Sequence, residues 1–328
     1  MQDIFLFNSG RLQRKDSTVL FVNSDGVKKT LLIEQLENIH VFTELDLNTS
    51  FLNLLSQKDV NLHIYNYYGY YNGSYIPRNK RVSGYVDIKQ AGNVLDNKKR
   101  MYIAQQFVSS SAHHLLRNLR RHKSETFSYI ADIEEERKKI NQTTDISTLM
   151  GVEGNIRRIY FSAFNKIIKK EDFYFTRREK RPPTDRINAL ISFGNSVMYT
   201  TVLSEIYKTQ LNPTISFLHQ PSSQRYSLAL DIAEIFKPLI IDSLIFSLIN
   251  NRMIKAEHFD FIDENICMLS EQGKKIFLAE LDSKLSKTIK HRTLKRKVSY
   301  RFLIRLECYK LIKHCLEDEV YKPLKAWW

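Results

Sequence analysis

PRNKRVSGYVDIKQAGNVLDN, residues 77–97, separates two stretches of different hydropathic period. Upstream, short runs rich in Thr, Val, Ile and Phe span Asp3–Phe7, Thr18–Asn23, Lys29–Ile33, Glu37–Phe42 and Asn61–Tyr65. The turn signals Asn8-Ser9-Gly10 and Ser24-Asp25-Gly26 punctuate them, a pattern of β-strands joined by tight turns. Ser50–Ser56 reads as a short helix, and Tyr67–Tyr71 with Gly69 and Gly73 as a terminal hairpin. Downstream the period becomes helical, beginning at Lys99–Arg121, where Tyr102, Gln106, Val108, Leu115, Leu116 and Leu119 line a stripe. Further helices are expected over Phe127–Lys139, Ile146–Phe164, Asp185–Gln210, Ser227–Ile235, Leu239–Met253, Gly273–Ile289 and Lys295–Leu316. Prolines 182, 183, 213, 221 and 238 mark breaks. Residues 77–97 themselves lose periodicity and collect polar and turn residues, which places the interdomain connection there. The expected fold is α+β: a small β-rich N-terminal domain, residues 1–85, then a linker and a larger all-α domain, residues 86–328.

Composition narrows the partners. Lys plus Arg number 50 against 36 Asp plus Glu in 328 residues, and the net charge of +14 points to a polyanion without naming one. Only 10 glycines and 7 prolines exclude low-complexity and collagen-like tracts. Cys267, Cys308 and Cys315 are too sparse for a disulfide framework or a zinc cluster, and they fit a reducing, intracellular compartment. No signal peptide and no long apolar span is read; LIIDSLIFSLI at 239–249 is short and contains Asp242, so it reads as a buried helix. No membrane partner is expected.

Chemistry gathers around His219-Gln-Pro221 and the following SLALDIAEIFKP, residues 227–238. Asp231 and Glu234 are three apart, so a helix points both carboxylates to one side, and a turn can bring His219 back toward them. Glu153, in GVEGNIRRIYFSAF, supplies a further carboxylate beside Arg157 and Arg158. Carboxylate oxygens with a neutral imidazole suit Mg²⁺ or Mn²⁺ rather than zinc, and phosphoryl transfer is the matching reaction. Salt-bridged or structural roles account for each of these residues taken singly. The stretch FYFTRREKRPPTDRINALISFG, residues 173–194, presents Arg177, Arg178, Lys180, Arg181 and Arg186 to phosphates, on a turn stiffened by Pro182-Pro183. Thr184 or Asp185 can cap the next helix, and Asn188 and Ser192, four apart, can orient a neighbouring group. The tyrosines between Tyr65 and Tyr71 read as sheet packing more readily than as base-stacking platforms. His113-His114 cannot face one way on a helix, and no Walker loop or Rossmann glycine pattern is present, so ATP dependence has no support.

Taken together, these motifs resemble the CRISPR-associated adaptation integrase family, the endonuclease-like proteins that insert new spacers into CRISPR arrays. The resemblance rests on Arg181-Pro-Pro183 with Asp185, Asn188-Ala-Leu190, Ser192-Phe-Gly194, Phe217-Leu-His219 and the 227–238 segment. Phe5-Leu-Phe-Asn-Ser-Gly10-Arg-Leu12 and the late stretch from Arg296 to Glu307 support it. It implies a cytoplasmic prokaryotic protein whose β-rich domain helps form a homodimer and whose helical domain is catalytic. The implied metal ligands are Glu153, His219 and Glu234, with Asp231 as a supporting catalytic group, Mg²⁺ or Mn²⁺ as cofactor, and protospacer and repeat DNA as substrates. A small ferredoxin-like partner would complete the assembly. Lys237 stands where relatives often carry arginine before the proline; it keeps the charge for a DNA contact and lacks the planar fork. Ser111 and His114 stand where relatives often have Lys and Asn. On residues alone, a non-catalytic nucleic-acid scaffold and a branched-DNA repair nuclease remain the alternatives.

Overall fold

A computed structural model describes the chain apart from Met1, Asn79, Lys80, Lys180, Arg181, residues 222–224 and Glu264, together with the side chain of Asp263. The chain divides into two units, Met1–Lys80 and Arg81–Trp328.

The first unit runs β1 (Gln2–Leu6), β2 (Gly10–Lys15), β3 (Thr18–Asn23), β4 (Lys28–Leu31), β5 (Leu36–Val41), β6 (Leu45–Leu47), α1 (Thr49–Lys58), β7 (Asn61–Tyr65) and β8 (Tyr71–Tyr75). The strands form two four-stranded sheets, ordered β4-β3-β2-β6 and β1-β5-β7-β8. Alternation sends Val19 and Phe21 of β3 inward, where they join Leu12, Ile39, Phe51, Leu54 and Leu62 in one core. β5 pairs in parallel with β1 and β7. Its other face carries a buried polar ladder in which Asn38 donates to Asp3 at 2.8 Å and His40 Nδ1 meets Tyr65 Oη at 2.8 Å. Gly10 allows β2 to lie close on β3, since a Cβ there would come within 2.2 Å of the Val22 carbonyl oxygen.

The second unit is helical: α2 (Gly84–Leu95), α3 (Asn97–Arg120), α4 (Lys123–Lys138), α5 (Ile146–Ser162), α6 (Phe164–Ile167), α7 (Arg186–Tyr207), α8 (Ser227–Phe236), α9 (Ser243–Asn250), α10 (Glu271–Ser286) and α11 (Tyr300–Cys315). It adds two short hairpins outside the sequence expectation, β9 (Phe259–Asp263) with β10 (Ile266–Leu269) and β11 (Thr288–Lys290) with β12 (Lys297–Ser299). Residues 77–97 also depart from the expected structureless connection, because α2 occupies most of them. Its period is masked because Gln90 is buried to serve a loop: Gln90 Nε2 donates to the carbonyls of Asn212 (3.0 Å) and Ile215 (2.7 Å), and Asn212 N–H donates back to Gln90 Oε1.

α7 is buried over nearly its whole circumference. Gly194 permits its closest contacts, since a Cβ would lie 2.6 Å from Ile241 and 2.9 Å from Phe277. Between α8 and α9 the chain makes a π-helical segment, Lys237–Asp242. Pro238 explains the change, because it has no N–H to return to the Glu234 carbonyl and its ring crowds that position. Among the described residues, no helix is long and apolar enough to cross a membrane. Cys267, Cys308 and Cys315 are all buried and free.

Candidate active site

α5 begins at an Asp145 cap, whose carboxylate accepts the Thr148 N–H at 2.8 Å, and it buries Leu149, Val152, Ile156 and Tyr160. That choice of face leaves Glu153 and Arg157, one turn apart, at its flank. α8 is short and buried almost throughout, so its two acids are held by apolar packing of Leu228, Ile232 and Ile235. Arg157 joins the helices: its Nε donates to Glu153 and its terminal nitrogen pairs with Glu234. Lys237 reaches Glu234 from the following turn, with Nζ 2.6 Å from Oε1. Two carboxylates from separate elements thus share one guanidinium, and a buried ammonium stands beside them.

His219 is placed by Asp231. The Asp231 side chain is fully buried, and its Oδ2 accepts the N–H groups of Phe217 (2.7 Å) and Leu218 (2.9 Å). Oδ1 accepts the His219 N–H at 2.9 Å and meets His219 Nδ1 at 2.7 Å. A carboxylate partner puts the ring proton on Nδ1, which leaves Nε2 with a lone pair on a side chain still 22% exposed. The turn that the sequence suggested therefore exists, and Asp231 folds it back onto α8. The structure pairs His219 with Asp231 and Glu153 with Glu234. Among the described residues, no three His, Cys, Asp or Glu side chains are spaced to hold one metal ion.

Behind these groups lies a buried polar layer. Burial pushes the Lys237 ammonium down to about 7, and the positive charge of Arg157 adds to the effect. Burial likewise raises the Asp242 carboxyl to about 6 against the pull of Arg157. Tyr160, beside Asp242, is raised well above the usual phenol range, chiefly by burial. α3 grips the junction from both ends: His114 Nδ1 donates to the Ile235 carbonyl at 2.9 Å and Asn118 Nδ2 to the Pro238 carbonyl at 2.8 Å. His114 Nε2 accepts the Ala326 N–H at 3.0 Å, and burial holds this imidazole neutral, down to about 3.

The basic stretch is less uniform than its sequence. Arg177 is exposed and pairs with Glu179 at 2.9 Å. Arg178 instead braces its loop against α7, donating to Asn188 Oδ1 at 2.8 Å and Ser192 Oγ at 3.0 Å. Asn188 and Ser192 thus orient a neighbouring group, as their spacing suggests, and Asp185 caps α7 through the Asn188 N–H at 2.8 Å. Arg186 donates to the Asp172 carbonyl at 2.9 Å and lies 5.2 Å from the Phe261 ring centroid. Lys180 and Arg181 lie outside the described residues.

A family model described as CRISPR associated protein Cas1 matches residues 4–283. The chain belongs to the Cas1 family. The CRISPR-associated endonuclease Cas1 of Clostridium perfringens (strain SM101 / Type A) is 55% identical over 329 residues, spanning 100% of this chain and 99% of that protein. The solved structure of a CAS1 protein from Thermotoga maritima superposes with a TM-score of 0.89 at 40% identity, covering 98% of this chain and 99% of that one. A chain in a solved Cas6-RT-Cas1–Cas2 complex has the same fold at 21% identity, with a TM-score of 0.82 over 98% of this chain and 36% of that one. That structure places the Cas1 fold within a multiprotein assembly. In this Cas1-family chain, the two glutamates singled out in the sequence meet through Arg157, and the histidine meets the aspartate. Sequence reasoning missed the bridging by Arg157 and the supporting His114, Asn118, Tyr160 and Asp242. Arg157 had a visible signal, its position one turn from Glu153; Asp242 had another, as the charge interrupting an apolar run.

Proposed function

We propose that the chain is a metal-dependent DNA integrase and endonuclease of CRISPR spacer acquisition, with Glu153, His219 and Glu234 as metal ligands and Asp231 as the group that fixes His219. The observation that carries the reading is the cation shared by Glu153 and Glu234. The Arg157 guanidinium occupies the kind of position that a divalent cation requires, between two hard oxygen donors, and displacing it frees both carboxylates. Bound there, Mg²⁺ or Mn²⁺ would polarise the phosphoryl oxygens and stabilise charge on the leaving oxygen.

The chain's own residues set the rest. Asp231 keeps the Nδ1 proton in place and directs the Nε2 lone pair of His219 outward. Arg157, once released, and Lys237 offer positive charge to non-bridging phosphate oxygens. In the joining step the protospacer 3′-oxygen bonds to phosphorus at the repeat boundary as the P–O bond of the repeat strand breaks and its 3′-oxygen leaves. One phosphodiester replaces another, so no nucleoside triphosphate is consumed. Arg177 extends the electrostatic contact to the DNA, with Lys180, Arg181 and Arg186 along the same stretch. The β-rich domain contributes to a homodimer, and a small ferredoxin-like second protein joins it in the assembly.

Strand-transfer mapping tests the reading, with protospacer and repeat DNA, the small partner and Mg²⁺ or Mn²⁺ present. Glu153→Gln, His219→Ala and Glu234→Gln are each expected to lose more than about 100-fold in joining while retaining DNA binding. Unchanged joining in all three overturns the assigned site, and binding without turnover by the wild type supports a scaffold instead.

A further inference from the structure

Beside the start of α9 lies a cavity of about 190 Å³. Asn118, Arg121 and His122 line it from the end of α3, and Ser243, Ser247 and Asn250 from α9. Lys284 enters from α10: its Nζ donates to Ser243 Oγ at 2.5 Å, and that hydroxyl in turn donates to the Leu239 carbonyl at 2.7 Å. The ammonium is thereby aimed at the wall of the cavity.

The charge around this point is one-sided. Burial pushes Lys284 down to about 7, and Arg121, Lys287 and Arg117 lower it further, with Asp242 as the opposing charge. Arg121 lines the cavity and Lys284 reaches its Ser243, so two cationic side chains stand at one point, and an anion there relieves their repulsion. The volume is below the about 300–1,000 Å³ of pockets that enclose drug-sized ligands. It suits one tetrahedral oxyanion, for which the Arg121 guanidinium, the Ser247 hydroxyl and the Asn250 carboxamide are the donors on its wall.

We propose that this cavity seats a single phosphate group of the DNA backbone, as a subsite separate from the carboxylate centre. The inference rests on the reading of the chain as a DNA-joining enzyme. Its position fits that role, because Asn118 lines the cavity with one face and holds the Pro238 carbonyl behind Glu234 with its amide. A strand held at both places has one phosphate at the chemistry and another at the far end of the same π-helical segment.

The test is DNA binding by the full-length protein across a salt series, for the wild type, Arg121→Gln and Lys284→Gln, with inorganic phosphate titrated in parallel. Removing one phosphate contact is expected to weaken binding several-fold and to flatten the slope of log affinity against log salt by about 1. Arg121 is exposed, so its variant keeps the test valid if Lys284→Gln does not fold. An unchanged slope in folded Arg121→Gln overturns the proposal, and saturation by inorganic phosphate with that slope unchanged assigns the cavity to a free anion, which also overturns it. Joining by Glu153→Gln and His219→Ala is read separately from the salt slope of Arg121→Gln, so failure of the active-site reading and failure of this subsite give different results.

Discussion

Asp231→Asn isolates the part of the site that depends on one side chain. The substitution keeps the shape and turns one of two acceptor oxygens into an NH₂ group. Four donors converge on Asp231: the N–H groups of Phe217, Leu218 and His219, and His219 Nδ1. Whichever way the amide is oriented, two of them face a donor. Two charge-assisted bonds at about 1.5–3 kcal/mol each place the loss at about 3–6 kcal/mol, with relaxation of the loop favouring the lower end. For a unit of this size each kcal/mol moves the melting midpoint by about 2–4 °C, so the helical unit should melt about 10 °C lower. Because His219 loses the partner that fixes its tautomer and orientation, joining activity should fall about 10–100-fold. Calorimetry and amide hydrogen exchange over residues 217–219 read the structural part, and strand transfer reads the chemical part. A midpoint within about 2 °C of the wild type, with those amides still protected and joining intact, would refute the account of Asp231 as the anchor of the histidine loop.

Two further outcomes follow from the charges. Arg157→Gln leaves Glu153 and Glu234 facing each other without a shared cation, so Mn²⁺ should raise the melting midpoint more in the variant than in the wild type, by about 2.7 kcal/mol of stabilisation at a hundredfold excess over its dissociation constant; no response to Mn²⁺ in the variant would refute the shared-cation reading. Lys284, lowered to about 7 from 10.5 in the folded chain, binds fewer protons than in the unfolded chain between those values, so stability should rise with pH across that window. Asp242, raised to about 6 from 3.8, has the opposite sign between about 4 and about 6, where the imidazole of His114, lowered to about 3, opposes it, so Asp242→Asn should make stability rise more steeply with pH in that window. Melting curves from pH 4 to 9 for the wild type, Asp242→Asn and Lys284→Met check both signs; Lys284→Met should flatten part of the alkaline rise, Lys237, also lowered to about 7, supplying the rest, and a wild-type slope retained in that variant would count against the Lys284 assignment.

What the sequence conveyed follows from what periodicity can encode. The change from strands to helices was legible because the alternation of β3 and the stripe of α3 are each set by one buried face. The return of His219 to α8 was legible because the Pro- and Ser-containing stretch before Asp231 signals a turn, and the joint action of Asn188 and Ser192 was legible because spacing on a helix fixes direction. Helix α2 was hidden by its own packing: Gln90 is buried while Tyr85, Ile88 and Leu95 are exposed, the reverse of what hydropathy assumes. The parallel neighbours of β5 and the hairpin of β9 with β10 depend on tertiary pairing that short-range pattern does not carry. For Arg178 the charge was visible in the sequence and its partners on α7 were not.

The same distinction explains why the site is built where it is. Pro238 ends the α-type ladder of α8 immediately after Glu234 and Lys237, so these two side chains sit at the one place in the helix where backbone bonding alone fixes least. The neighbouring carbonyls of Ile235 and Pro238 are held from outside, by His114 and Asn118 one turn apart on α3. His114 can do this only as a neutral ring with its proton on Nδ1, and that form is stabilised by the Ala326 N–H at its other nitrogen. The position of a candidate catalytic glutamate thus depends on a helix far upstream and on a tail residue far downstream. Each link is a hydrogen bond in a water-poor interior, where leaving one partner unsatisfied costs about 1–3 kcal/mol. The three segments are therefore coupled, and a substitution in α3 or the tail should change the geometry at Glu234 without touching it. That coupling is also why His114 looked like a decoy in the sequence: its role is defined by Ile235 and Ala326, neither of which carries any chemical signal of its own.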